Sequence, residues 1–158
     1  MPPKSPSKAS RRYPAHPLPG VGALIFRGPG KRGPILLVER GGHPLKGYWS
    51  LPGGLVETGE SLDEAVRREV LEETGLKVKP LEMAGVFERV MKDARGRTEY
   101  HYLLVDYVCK ITGGKLQAAD DVARVEWVPR ERLGDYQMTE GTRDVIEKAY
   151  SGASRKRT

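Results

Sequence analysis

Residues 54–76 read GLVETGESLDEAVRREVLEETGL. From residue 61 onward their apolar positions recur at helical spacing. Ser61 stands where an N-cap belongs, and Glu64 three positions later completes a capping box. Gly75 is placed to stop the helix. With Leu62 at zero and 100° per residue, Ala65 falls at about 300°, Val66 at about 40° and Val70 at about 80°. These residues form an apolar face, with Leu71 as the exception at about 180°. Glu69 at about 340° and Glu73 at about 20° interrupt the middle of that face, and Glu72 lies at its edge near about 280°. A merely solvated acidic helix would carry its acids opposite the stripe, with Arg68 and Glu72 as an i,i+4 surface pair. Burying unpaired carboxylates costs on the order of several kcal/mol each. Protonation, a cationic partner or a metal ion would relieve that cost. Three carboxylates from little more than one helical turn suit a hard divalent cation with oxygen ligands, magnesium or manganese.

Outward from this helix the pattern is mostly extended. VGALIF (21–26) and ILLVER (35–40) are β-rich runs separated by the Gly/Pro-rich RGPGKRGP. GGHPLKGYWSLPGG (41–54) holds too many Gly and Pro for regular structure. Strands are expected over 82–90 and 99–111 around the turn KDARGR, then a Gly113-Gly114 turn and a short strand VARVEWV (122–128). A second helix is expected over 140–150. Strands, a central helix, more strands and a terminal helix do not make the strict alternation of a doubly wound fold. An α/β arrangement with a mixed sheet and helices packed on it fits better.

The chain has 158 residues, which suits one ordinary domain, and a net charge of +6. Residues 1–19 carry Lys4, Lys8, Arg11 and Arg12 with no acid, and residues 151–158 carry Arg155, Lys156 and Arg157 with no acid. Residues 20–150 are therefore close to neutral, and the positive excess lies at the ends. Residues 1–18, rich in Pro, are expected to form a disordered basic arm, 19–151 the domain, and 152–158 a basic tail. Both ends are expected to be dispensable for catalysis, with nucleic-acid association only an accessory property through them. One cysteine, Cys109, excludes an internal disulfide and a cysteine-only metal cage. No apolar run approaches the ~20 residues of a membrane helix, and a cytoplasmic location is the expectation.

The segment 54–76 resembles the Nudix box, G-x5-E-x7-R-E-U-x-E-E-x-G-U, with U a bulky aliphatic residue. The fixed positions are Gly54, Glu60, Arg68, Glu69, Glu72, Glu73 and Gly75, with Val70 and Leu76 at U. None departs from the pattern. The resemblance implies a Nudix-type α/β/α sandwich with a mixed sheet and a loop–helix–loop catalytic motif. It implies Mg2+, with Mn2+ as substitute, and a small nucleotide diphosphate substrate. Glu69 and Glu73 resemble the principal metal ligands, Glu72 completes the carboxylate cluster, and Glu60 is a further or outer ligand. The Gly53 carbonyl resembles another ligand, and Arg68 orients the ligating glutamates. A homodimer is expected by analogy.

Outside the box, Asp121, and less so Asp120, resembles a later metal-binding or general-base acid, with an ordinary loop aspartate as the alternative. Trp49 and Tyr48 suit either base stacking or core packing. Arg40 suits phosphate or the surface. Gly54 gives the substrate access to backbone, and Tyr102 and Phe87 are candidates for a base pocket. His101 and Cys109 read as structural. The sequence is similar to small ADP-ribose pyrophosphatase-like, MutT-related members. It lacks a proline about fifteen residues after the box that many ADP-ribose enzymes carry. ADP-ribose is the first expectation, a nucleoside triphosphate cut to monophosphate and pyrophosphate the second, and a non-catalytic nucleotide- or RNA-binding module the third.

Overall fold

The computed structural model describes residues 11–119 and 122–155. Nine elements follow in order. They are β1 (Leu18–Ile25), β2 (Ile35–Arg40), β3 (Trp49–Ser50), β4 (Gly53–Leu55), α1 (Leu62–Thr74), β5 (Leu76–Lys92), β6 (Thr98–Gly114), β7 (Val122–Val128) and α2 (Thr142–Arg155). A 3-10 turn, Arg130–Asp135, precedes α2.

The two continuous apolar runs form strands buried on both faces, as such runs should. Val21, Ala23 and Ile25 of β1 and Leu36 of β2 pack with Ala65, Val66 and Val70 of α1. Leu24, Phe26, Ile35 and Leu37 point the other way, to Ile146, Ala149 and Tyr150 of α2. The strands thus lie between two helices, an α/β/α sandwich. The four-stranded sheet has the order β4-β1-β6-β5, and the three-stranded sheet has the order β3-β2-β7. The first is mixed: β1 runs parallel to β6, from Leu18 opposite Tyr102 to Ile25 opposite Cys109, and antiparallel to β4. Among the described residues no helix is long and apolar enough to cross a membrane.

Helix α1 begins and ends on the residues expected. The Ser61 hydroxyl accepts from the Glu64 N–H at 3.1 Å. Gly75 adopts φ 76° and donates its N–H to the Leu71 carbonyl. A side chain there would be strained in the left-handed region and would overlap the Lys115 carbonyl. Leu71 is exposed as expected, but Leu62, the first residue of the helix, is also 36% exposed, although it lies within the arc that Ala65, Val66, Val70 and Thr74 bury. The Thr74 hydroxyl donates to the Val70 carbonyl at 2.7 Å and accepts from the Leu76 N–H, which lets a polar residue sit in the core.

Three expectations need correction. The strands expected over 82–90 and 99–111 do flank the KDARGR turn as β5 and β6 but are longer, because pairing runs from Leu76 opposite Gly114 to Lys92 opposite Thr98 and takes Gly113 and Gly114 into β6. The arm expected over 1–18 is held on that hairpin in its inner half. Tyr13 donates its N–H to the Glu99 carbonyl at 2.7 Å and its hydroxyl to Asp93 at 2.8 Å, and Arg97 stacks on its ring. Desolvation would raise the Asp93 carboxyl, but bonds from Tyr13, Arg97 and Arg95 outweigh it and hold the group at about 2. Lastly, α2 continues to Arg155 rather than ending near residue 150. Once a helix is nucleated, each added residue costs little, so short polar stretches extend it. Residues 1–10 and 156–158 lie outside the described residues.

Candidate active site

Glu69 and Glu73 are one turn apart on α1 and are anchored differently. The Glu73 Oε1 accepts from the Gly53 N–H of β4 at 2.8 Å. The Glu69 Oε1 accepts from Arg68 Nη1 at 2.8 Å. The Glu69 carboxylate also lies against Gly54, so closely that a Cβ on Gly54 would overlap it. A Cβ on Gly53 would overlap the Val21 carbonyl of β1. Two adjacent residues without side chains therefore let α1 lay its acids on the end of the sheet.

Arg68 joins the acidic residues. Its Nε donates to Glu60 Oε2 at 2.6 Å and its Nη2 to Glu60 Oε1 at 2.9 Å, a bidentate pair. The same Nη2 reaches the Leu55 carbonyl at 3.0 Å, and Nη1 reaches Glu72 Oε2 at 3.2 Å. The bonds to Glu60 are the main cause that raises the Arg68 guanidinium, and the bonds from Arg68 are the main cause that lowers the Glu60 carboxyl. Glu60 also accepts from the Glu57 N–H at 3.0 Å, so both of its oxygens are engaged behind the cleft.

A cleft of ≈ 240 Å³ opens in front of these groups. Glu57, Arg68, Glu69, Glu72 and Glu73 line it from the helix side, and Arg11, Arg40 and His43 line it from the other. The three box carboxylates thus share one cleft. They do not converge on a point, and among the described residues no three such groups are gathered in metal-ligating geometry. The reason is Arg68, which draws Glu69 and Glu72 to its own guanidinium. The donor set is nonetheless all oxygen, half-buried and anionic, with the backbone of Gly53 and Gly54 beside it. That chemistry fits a hard divalent cation.

A second, largely apolar cavity of ≈ 120 Å³ shares Arg11, Arg40, Ser50, Leu51 and Gly53 to Leu55 with the first. Phe87, Met91, Tyr102 and Leu104 supply its apolar walls, and Arg89, Asp106 and Glu140 add charges to those of Arg11 and Arg40. Arg40, Gly53 and Gly54 therefore line both cavities, and Tyr102 and Phe87 line the second. Arg40 Nε donates to the Pro44 carbonyl at 2.8 Å, which braces its guanidinium where the two cavities meet. Trp49 lines neither cavity. It is 6% exposed and packs edge-on against Tyr136 in the α2-side core, so the stacking expectation gives way to its packing alternative. His101 pairs with Glu88 at 3.0 Å. Burial pushes the Cys109 thiol up to about 12, which makes it a poor nucleophile. Asp120 and Asp121 lie outside the described residues.

Several residues lining the two cavities escaped the sequence reading, Arg11, Arg89 and Asp106 among them. Arg11 sits in the segment assigned to the arm. Arg89 and Asp106 sit on β5 and β6. A signal existed for Asp106, the lone charge in the apolar run YLLVDYV (102–108). Its burial raises the carboxyl to about 6, and the charge of Arg89 offsets this only in part. The native state therefore holds this proton between about 4 and 6, where the unfolded chain has lost it. Stability falls as pH rises through that window, by about 3 kcal/mol when fully developed. Asp106→Asn is expected to raise Tm at pH 7.5 and to flatten the pH dependence of Tm between pH 4 and 6. A lower Tm for this variant would contradict that account.

Comparison with known proteins places these features in a family. Residues 16–149 match the NUDIX domain family. An ADP-ribose pyrophosphatase of Methanocaldococcus jannaschii is 39% identical over 118 residues, 75% of this chain and 65% of that protein. The chain thus spans just under two thirds of that relative's length. Nucleoside triphosphatase NudI of an Enterobacter species is 34% identical over 113 residues, 66% of this chain and 77% of the relative. Among solved structures, the NUDIX domain of Shewanella oneidensis NrtR, complexed with ADP ribose, superposes with a TM-score of 0.67 at 27% identity. That match covers 86% of this chain and 88% of the other.

Proposed function

This chain belongs to the NUDIX domain family, and from that premise we propose that it hydrolyses the diphosphate bond of a nucleoside diphosphate derivative, ADP-ribose first. Water adds to one phosphorus and the P–O–P bridge breaks, giving AMP and ribose 5-phosphate. The observation that carries this reading is the junction of two unlike cavities. An acidic cleft on α1 meets an apolar one across Gly53 to Leu55, with Arg11 and Arg40 lining both. A molecule with a flat apolar end and a polyanionic middle matches that pair. A relative named for ADP-ribose and a solved neighbour holding it support the same substrate.

Glu69 and Glu73 would hold Mg2+ or Mn2+, with Glu72 at the rim and the Gly53 carbonyl beside them. When bound, the metal polarises the phosphoryl oxygens and lowers the pKa of the attacking water. Arg68 keeps the glutamates in place. Arg11 and Arg40 neutralise diphosphate charge from the opposite wall. Phosphoryl transfer depends mainly on positioning and charge neutralisation, which a rigid helix and the bare backbone of Gly53 and Gly54 provide.

Chromatography of products from ADP-ribose with magnesium is expected to show AMP, and chelation is expected to stop its release. Failure across a panel of nucleoside diphosphate derivatives and triphosphates, with either metal, would sink the enzyme reading. Pyrophosphate released from triphosphates, with ADP-ribose untouched, would favour the second substrate. Arg11 adds a sharper test. A chain lacking residues 1–10 is expected to retain its KM. One lacking residues 1–17, or carrying Arg11→Ala, is expected to show a KM higher by about tenfold, the loss of roughly one charge-assisted contact. Equal KM values for the two truncations would remove Arg11 from the site.

The homodimer expected from the resemblance would use the β5–β6 hairpin, which exposes Leu81, Met83, Val86, Val90 and Leu103. Light scattering of the full chain decides its mass.

A further inference from the structure

Among the described residues, Arg89 Nε is the one fully buried side-chain nitrogen or oxygen without a hydrogen-bond partner. Thr74 is satisfied within α1, and the Thr139 and Thr142 hydroxyls bond each other at 2.6 Å. Arg89 lines the second cavity, and so does Asp106. Asp106 is 7% exposed, and its carboxylate accepts no hydrogen bond from the described residues, the charge of Arg89 being its only compensation. Arg89 gives its Nη2 to the Glu140 carbonyl at 2.9 Å and lies over the Phe87 ring, yet its Nε is buried with no partner. An unbonded buried acceptor and an unbonded buried donor in one cavity mark a place where a ligand completes the bonding. Nothing in the sandwich requires either charge. Asp106 is instead accommodated at some cost to the fold: a Cβ at position 22 would overlap its carboxylate, and glycine stands there.

We infer that Asp106 and Arg89 read the nucleobase, taking a purine edge that offers a hydrogen-bond donor beside an acceptor, as adenine does. This rests on the diphosphate reading above and specifies its substrate. With the diphosphate at the acidic cleft, the base enters the adjoining cavity, between Phe87, Met91, Tyr102 and Leu104. The Asp106 carboxylate accepts from the exocyclic amine. Arg89 Nε donates to the neighbouring ring nitrogen. Adenine presents that pair of groups side by side. Hypoxanthine replaces the amine with a carbonyl, which meets the carboxylate lone pair to lone pair and leaves Asp106 unpaired. Sites built around a buried hydrogen bond reject analogues that cannot make it.

The test is calorimetric binding of AMP and IMP to the full chain, alongside kcat/KM for ADP-ribose and its hypoxanthine counterpart. Wild type is expected to prefer the adenine member of each pair by about 10- to 100-fold. In Asp106→Asn the preference is expected to collapse toward one, because an amide presents either a donor or an acceptor. Arg89→Met is expected to weaken AMP binding about tenfold as a second, independent variant. A rise in Tm for Asp106→Asn separates a ligand-reading residue from a structural one, whose loss would lower Tm. A preference retained in Asp106→Asn, or equal binding of AMP and IMP by wild type, overturns the inference. If ADP-ribose is not hydrolysed but AMP is preferred in an Asp106-dependent way, the reaction is misread and the base reading stands. If both diphosphates are cleaved with equal kcat/KM, the base reading fails and the reaction stands.

Discussion

Glu73→Gln is expected to lower kcat on a diphosphate substrate by about 10³-fold, or about 4 kcal/mol in the barrier, with little change in Tm. The substitution is nearly isosteric. Glutamine keeps a carbonyl oxygen for the Gly53 N–H that Glu73 Oε1 now accepts at 2.8 Å. The local structure therefore has no reason to move. What disappears is one negative charge facing the cleft. A neutral amide is a poor ligand for a hard cation, and the loss falls on a reaction whose catalysis is mainly charge neutralisation. Steady-state rates over a wide range of magnesium concentration check this. The activity should stay low at saturating metal, and the half-saturating concentration should rise. A kcat within a few-fold of wild type at ordinary magnesium would remove Glu73 from the catalytic set.

Arg68→Ala should damage both stability and activity. It removes the partner of Glu60 on two oxygens, of Glu69 on one, and the donor to the Leu55 carbonyl. Glu60 and Glu69 are about one tenth exposed as side chains, so both would be left poorly solvated without the Arg68 cation. Breaking a buried pair from one side costs about 3–5 kcal/mol. The guanidinium is partly exposed, so about 3 kcal/mol is expected, or about 6–12 °C in Tm for a domain of this size. The pH dependence provides a second check. Arg68 lowers the Glu60 carboxyl, so the native state binds fewer protons than the unfolded chain near pH 4. That stability is present above the unfolded carboxyl range and is lost as pH falls through the native value. The gap between wild type and variant should therefore narrow on acidification below about pH 4.5. Arg68→Lys keeps the charge but not the fork, and should fall between the two. A constant gap from pH 3 to 8 would show that packing, not charge, accounts for the loss.

Much of this protein is legible along the chain. The helix α1, both of its caps, and the grouping of Glu69, Glu72 and Glu73 follow from residues fewer than fifteen apart. Such features are governed by local geometry: rotation per residue, capping hydrogen bonds and glycine at a left-handed position. The central strands β1 and β2 are equally local, since a short apolar run bounded by turn residues needs no partner to be recognised. The net charge of +6 gave a less reliable guide. Four of its excess cations lie before residue 20, and composition alone assigned them all to an arm.

Tertiary structure decided what lies opposite the helix. Arg11, Arg40, Arg89 and Asp106 come from four separate segments and meet at one cleft. No periodicity records that meeting, because it depends on the parallel pairing of β1 with β6 and on the hairpin that carries the N-terminal segment back across the sheet. It also decided the state of each charge. Arg68 gathers Glu69 and Glu72 to itself, while Glu73 is tied to Gly53. Trp49 turns into the core and lines neither cavity. The box carboxylates are a property of the sequence. The shape and polarity of the cavity beside them arise from burial and long-range contacts, which only the folded chain creates.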